Sequence, residues 1–117
     1  MIANRTRGTV LCRSLETARS PGARARGLMF RSQLEGGLLF VFDRSCRPGI
    51  WTFGMLIPID ILWLDSGGRV VKARRNAKPW RYLGFPRKKA RFVLELPAGT
   101  LEKSLTREGD ALSIPRR

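Results

Sequence analysis

The sequence predicts an α+β fold, rich in strands and predominantly antiparallel, with two short helices. Three observations lead there. Short apolar stretches recur between turns marked by Gly, Pro, Asp and Ser, which is strand punctuation. One of them, residues 57–64, alternates with period two and runs directly into Asp65-Ser66-Gly67-Gly68 and a second apolar stretch, the pattern of a hairpin. Only two stretches read as helix, and both are short. The 117 residues fit one domain, expected to span 1–117 with its core at about 9–114. A chain of this size buries roughly two-thirds of its unfolded surface, enough for a core without cross-links.

Taken in order, Thr9, Val10, Leu11 and Cys12 make a first short strand. Ser20-Pro21 is a helix start, with a capping hydroxyl and then proline where a missing N–H costs nothing. That helix is expected through Ala23, Ala25 and Leu28. Leu38 to Phe42, preceded by Gly36-Gly37, reads as a buried strand, and Asp43 to Gly49 as a loop. In the hairpin, Ile57, Ile59, Ile61 and Trp63 share one face of the strand, and Asp60, Leu62 and Leu64 the other. Val70 to Ala73 forms the returning arm. Residues 76–90 read as an extended basic loop. Arg91 to Leu96 is a strand with Phe92, Leu94 and Leu96 on one face and Val93 and Glu95 on the other, ended by Pro97-Ala98-Gly99. Thr100 to Leu105 suits a short helix, although its start lacks the acid of a capping box. Gly109-Asp110 is a turn before a last strand, Ala111 to Ile114.

The formal charge of +14 is unevenly held. Residues 1–31 carry seven Arg against Glu16, and residues 69–91 carry ten Lys or Arg and no acid. Such stretches suit a polyanion: nucleic acid, an anionic membrane surface or an acidic protein. The plainer account is a solvated surface enriched in Arg, since 18 of the 23 basic residues are Arg. No run approaches the length of a membrane span, and no secretory signal is visible after Met1. Cys12 and Cys46 lie in no metal-ligand spacing. They are expected as reduced thiols without a disulfide, in a cytoplasmic protein.

The complete absence of His removes the commonest base and metal ligand at neutral pH. No catalytic motif stands out, so the catalytic residues are unknown, and no metal or cofactor is expected. Asp60, among leucines on its strand face, must be paired, hydrogen-bonded or shifted in pKa. Glu95 could meet it across the sheet as a carboxylate pair suited to hydrolysis. Met29, Trp51, Phe53 and Met55 are candidates to line an apolar pocket beside Asp60 and Glu95, or else plain core. Along the basic loop Arg74, Arg75, Lys78, Arg81, Arg87, Lys88 and Lys89 alternate with Trp80, Tyr82 and Phe85. Cations for phosphates and aromatics for bases are the composition of a single-strand binding surface.

Four stretches in register carry a resemblance. They are Arg26-Gly27-Leu28-Met29-Phe30-Arg31; Gly37-Leu38-Leu39-Phe40-Val41-Phe42; Trp51-Thr52-Phe53-Gly54-Met55 running into Ile57-Pro58-Ile59-Asp60; and Val93-Leu94-Glu95-Leu96-Pro97-Ala98-Gly99, closed by Gly109-Asp110. Together they resemble the family called domain of unknown function 192. The resemblance implies a small β-rich domain with a barrel-like sheet and short flanking helices, and it brings no catalytic assignment. One departure is visible: the family often has His, or Trp followed directly by Met, near the third stretch, whereas Trp51 here precedes Thr52. The readings that follow are a ligand-binding or interaction module with its pocket near Trp51–Met55, Asp60 and Glu95; a nucleic-acid binder using residues 69–91; and a carboxylate-dependent hydrolase.

Overall fold

The hairpin strand is the organising element of the computed structural model, which describes residues 1–20, 31 and 33–115. The chain forms β1 (Ile2–Asn4), β2 (Thr9–Cys12), β3 (Leu15–Ala18), β4 (Gly37–Cys46), β5 (Ile50–Trp51), β6 (Ile59–Leu64), β7 (Val70–Ala77), β8 (Tyr82–Gly84), β9 (Ala90–Pro97) and a helix, α1 (Thr100–Ser104). Five strands make one sheet in the order β3-β4-β9-β6-β7, and β1-β2 and β5-β8 form two-stranded ribbons beside it. Every residue of β6 is buried, because both faces of the sheet are covered.

The alternation read from the sequence assigns the two faces. Ile59, Ile61 and Trp63 join Leu38, Phe40 and Val93 in one core, while Leu62 and Leu64 join Leu39, Val41, Leu94 and Leu96 in the other. Each such side chain contributes about 1.5–3 kcal/mol on burial. The hairpin turn is held by Asp65, whose Oδ1 accepts the N–H groups of Gly67 and Arg69 at 3.0 and 2.9 Å. Gly68 follows at φ 87°, and a Cβ there would lie 2.5 Å from the Leu112 carbonyl oxygen. Only glycine fits.

Several expectations need correction. The sheet is open and mixed rather than a barrel, since β3 runs parallel to β4 and the sheet has two edges. Among the described residues α1 is the one helix; the helix expected from Ser20-Pro21 to Leu28 falls on residues 21–30, outside the described set. The loop expected at 43–49 is partly strand, because β4 continues to Cys46 through an irregularity in its pairing with β9. Likewise β7 continues past Ala73 to Ala77, and β8 lies inside the stretch read as loop. These segments are polar edge and ribbon strands, where alternation carries little apolar signal. Residues 111–114 reduce to two bridges, Asn4 with Leu112 and Arg69 with Ala111.

Those bridges sit beside a buried polar cluster that joins the two ends of the described chain. Asn4 Nδ2 donates to Thr106 Oγ1 and to Asp110 Oδ2, both at 2.9 Å. Arg7 donates to both Asp110 oxygens at 3.1 Å, and the Arg107 N–H adds a third partner. Desolvation pushes the Asp110 carboxyl up, but the bonds from Arg7, Asn4 and the Arg107 N–H outweigh it and hold its pKa below the usual value. The sequence reading of Asp110 as a turn residue accounts for the Arg107 bond and misses the other two. Among the described residues no helix is long and apolar enough to cross a membrane.

Candidate functional site

The two carboxylates proposed as a pair lie back to back. Asp60 is opposite Leu96 on β9, and Glu95 is opposite Ile61 on β6. A shift of one residue along a strand reverses the face, so Asp60 points with Leu62 into one core and Glu95 with Val93 into the other. Asp60 is also fully occupied. Its Oδ1 accepts the Asn76 N–H at 2.8 Å, and its Oδ2 accepts those of Gly99 and Leu101 at 3.1 and 2.9 Å. The helix start that lacks a local cap therefore receives one from β6. This carboxylate is a structural clamp, and it does not meet Glu95 as a pair.

Glu95 has the contrary character. It is 3% exposed, and its Oε1 has no hydrogen-bond partner. Removal from water pushes its pKa up to about 8, so it is mostly a neutral acid at pH 7. Among the described residues no group of three or more His, Cys, Asp or Glu is placed to hold a metal ion. Cys12 and Cys46 are free; burial raises the Cys12 thiol pKa, which disfavours its thiolate.

The aromatic residues separate in the same way. Met55 is core, at 3% exposure, whereas Trp51, Phe53 and Trp80 are 41%, 42% and 58% exposed. Met29 falls outside the described residues. The Trp51 and Phe53 rings are 5.5 Å apart and tilted by 42°; Phe53 and Trp80 are 6.3 Å apart and tilted by 45°. Tyr82 pairs with Trp51 across the β5–β8 ribbon and is also exposed. These side chains form an apolar corner.

Thr52 builds that corner, and the sequence reading gave it no role. It is wholly buried. Its Oγ1 donates to the Lys78 carbonyl at 2.7 Å and accepts the Arg81 N–H at 2.9 Å. Its backbone exchanges bonds with the same loop, from Thr52 N to the Arg81 carbonyl and from Trp80 N to the Thr52 carbonyl. The clasp turns Trp51 and Phe53 outward on either side and holds Trp80 at φ 62°, a conformation that costs a bulky side chain about 1–2 kcal/mol. The signal was the Trp-Thr-Phe triplet itself, a hydroxyl between two aromatics in extended chain.

The basic residues divide across the sheet. Arg74, Arg75, Lys78, Arg81, Arg87, Lys88 and Lys89 are all exposed. Arg75 turns toward α1, its Nη2 3.5 Å from the Thr106 carbonyl, away from the corner. Lys72 lies over the Trp63 ring at 4.8 Å and donates to the Leu83 and Phe85 carbonyls, so it is committed to the fold. Arg47 covers the Phe85 ring at 4.8 Å, a contact absent from the sequence reading. The two ion pairs among the described residues, Arg7–Asp110 and Arg31–Glu16, involve none of residues 69–91.

Fold and site define a small β-rich protein with an open mixed sheet and an exposed aromatic and cationic corner. The chain belongs to the family domain of unknown function 192, described as uncharacterized ACR, whose family model matches residues 2–114. It is 38% identical over 115 residues to the UPF0127 protein of Thermococcus gammatolerans, covering 97% of this chain and 74% of that one. The corresponding Thermococcus kodakarensis protein is 37% identical, with 97% and 72% covered. Two crystal structures share the fold. A proposed transcription regulator from Sinorhizobium meliloti superposes with TM-score 0.80 at 32% identity, covering 85% of this chain and 79% of that one. A protein of unknown function from Novosphingobium aromaticivorans gives 0.79 at 28%, covering 86% and 74%.

Proposed function

We propose that the chain is an interaction module whose working surface is the corner formed by Trp51, Phe53, Trp80 and Tyr82. The observation that carries this is the Trp80 backbone, held in a strained conformation by a buried clasp while the side chain it presents stays in water. Exposed large aromatics placed together mark binding surfaces, and strain maintained at such a place points the same way. Neither Asp60 nor Glu95 belongs to this surface.

The test is thermodynamic. If the corner serves binding, the fold does not need it. Trp51→Ser, Phe53→Ser and Tyr82→Ser should each change stability by less than about 1 kcal/mol, and Trp80→Gly should leave it equal or raise it by up to about 1 kcal/mol as the strain is released. Urea unfolding of the four variants measures this. A loss above about 2 kcal/mol at each position would make the rings part of the core and remove the proposal.

A further inference from the structure

Resting on that reading of the corner, we infer that its occupant is single-stranded nucleic acid, taken up with its bases splayed on the rings and its phosphates on the adjoining cations. Ring geometry gives the first half. A base inserted between two rings needs them parallel and about 7 Å apart, twice the stacking distance of about 3.4 Å. At 5.5 and 6.3 Å with tilts of 42° and 45°, the rings cannot sandwich a base, so each offers its own outer face to a separate one. Bases presented singly are available in an unpaired strand and not in a duplex.

Charge gives the second half. Trp80 is bracketed by Lys78 and Arg81, and beyond Tyr82 and Phe85 the same track reaches Arg87, Lys88 and Lys89. Lys78, Arg87, Lys88 and Lys89 are exposed and make no side-chain hydrogen bond or ion pair among the described residues. Residues 69–91 contain no acid, although Asp65 and Glu108 share a cleft with Arg87 and Lys88 at the far end of the track. An acidic protein segment would satisfy the cations but leave the ring faces without flat partners.

The experiment is fluorescence anisotropy of the full chain with a labelled oligothymidine, set against the same sequence as duplex, heparin and a polyglutamate peptide. The single strand is expected to bind most tightly. Four phosphate contacts give a salt slope of about −3 for a single strand, an affinity loss of roughly 50-fold between 50 and 200 mM salt. Trp80→Ala and Trp51→Ala should each weaken binding about tenfold, and Lys88→Gln with Lys89→Gln should flatten the slope by about 1.4. Three results would overturn the inference: no oligothymidine binding at about 50 mM salt, binding indifferent to both tryptophan changes, or tighter binding of polyglutamate. If the tryptophan variants keep their stability while any of these occurs, the interaction corner stands and the nucleic acid falls. If those variants unfold, the corner falls with it.

Discussion

Glu95→Gln should abolish a pH dependence of stability that the native protein carries between pH 5 and 8. In the folded state the carboxyl sits in an apolar core at a pKa of about 8, against an ordinary value of 4.5. Between those values the folded state holds a proton that the unfolded state has released. Stability therefore falls as pH rises, by up to about 1.4 kcal/mol per unit. The stabilising protonation is fully present below pH 4.5 and lost by about pH 8. At pH 7 the loss is about 3 kcal/mol, and above pH 8 it levels off near 5 kcal/mol. The chain has no His, so the commonest titrating side chain of this range is absent. Gln keeps the shape of the protonated acid and cannot ionise. Urea unfolding at intervals across pH 5–8.5, followed by the fluorescence of buried Trp63, should show the native midpoint dropping by about 2 M while the variant stays level. A native midpoint that is flat over this range, or a variant that falls in parallel, would refute a neutral, unpartnered Glu95.

Asp60→Ala leaves the N–H groups of Asn76, Gly99 and Leu101 without their acceptor, and should lower the urea-derived stability by about 3–5 kcal/mol. Asp60→Asn retains one acceptor oxygen and should cost about 2 kcal/mol. Gly68→Ala forces a Cβ against the Leu112 carbonyl at positive φ and should lower the thermal midpoint by about 10 °C or more. Asp110→Asn removes a carboxylate whose pKa is depressed, a contribution present above the ordinary carboxylate pKa and lost as pH falls through the folded value. The variant should be about 2 kcal/mol less stable at pH 7, and the difference should shrink below pH 4 in acid titrations followed by circular dichroism.

The parts of the fold that were legible in the sequence are those where a physical rule acts locally. Period-two alternation placed Ile59, Ile61 and Trp63 on one face and Leu62 and Leu64 on the other, and Asp65 with Gly68 announced the turn. Asp60 was legible as a carboxylate needing a partner, and α1 as a helix missing its cap, yet nothing local says that each completes the other across 41 residues. The misreading of Glu95 came from register. Its alternation with Val93 was read correctly, but pairing it with Asp60 required knowing which β6 residue lies opposite, and that residue is Ile61. Ribbon strands β5 and β8 were hidden because two or three residues are too few for a pattern. The aromatic corner was divided between two candidate sites, Trp51 and Phe53 in a pocket and Trp80 and Tyr82 in a basic loop, since only the Thr52 clasp unites them.

The sheet separates what holds the protein together from what it shows to a partner. On the Leu62 face lie the Asp60 clamp, the helix and the Asn4–Arg7–Asp110 cluster, all with satisfied polar groups. On the Ile61 face lie the unpartnered Glu95 and, beyond Met55, the loop that carries Trp51 and Phe53. Native proteins concentrate strain and unsatisfied groups where something other than stability is being maintained; the orphaned Glu95 oxygen and the strained Trp80 fall on this side, while Leu105, at φ 61° at the end of α1, carries similar backbone strain on the other. Polar clamps gathered on the opposite face leave the corner free to change its side chains with little effect on folding. Substitutions at Trp51, Phe53 and Trp80 should therefore be nearly additive with those at Asp60 and Asp110 in stability, whereas a coupling above about 1 kcal/mol in a double-mutant cycle would show that the two faces are one unit.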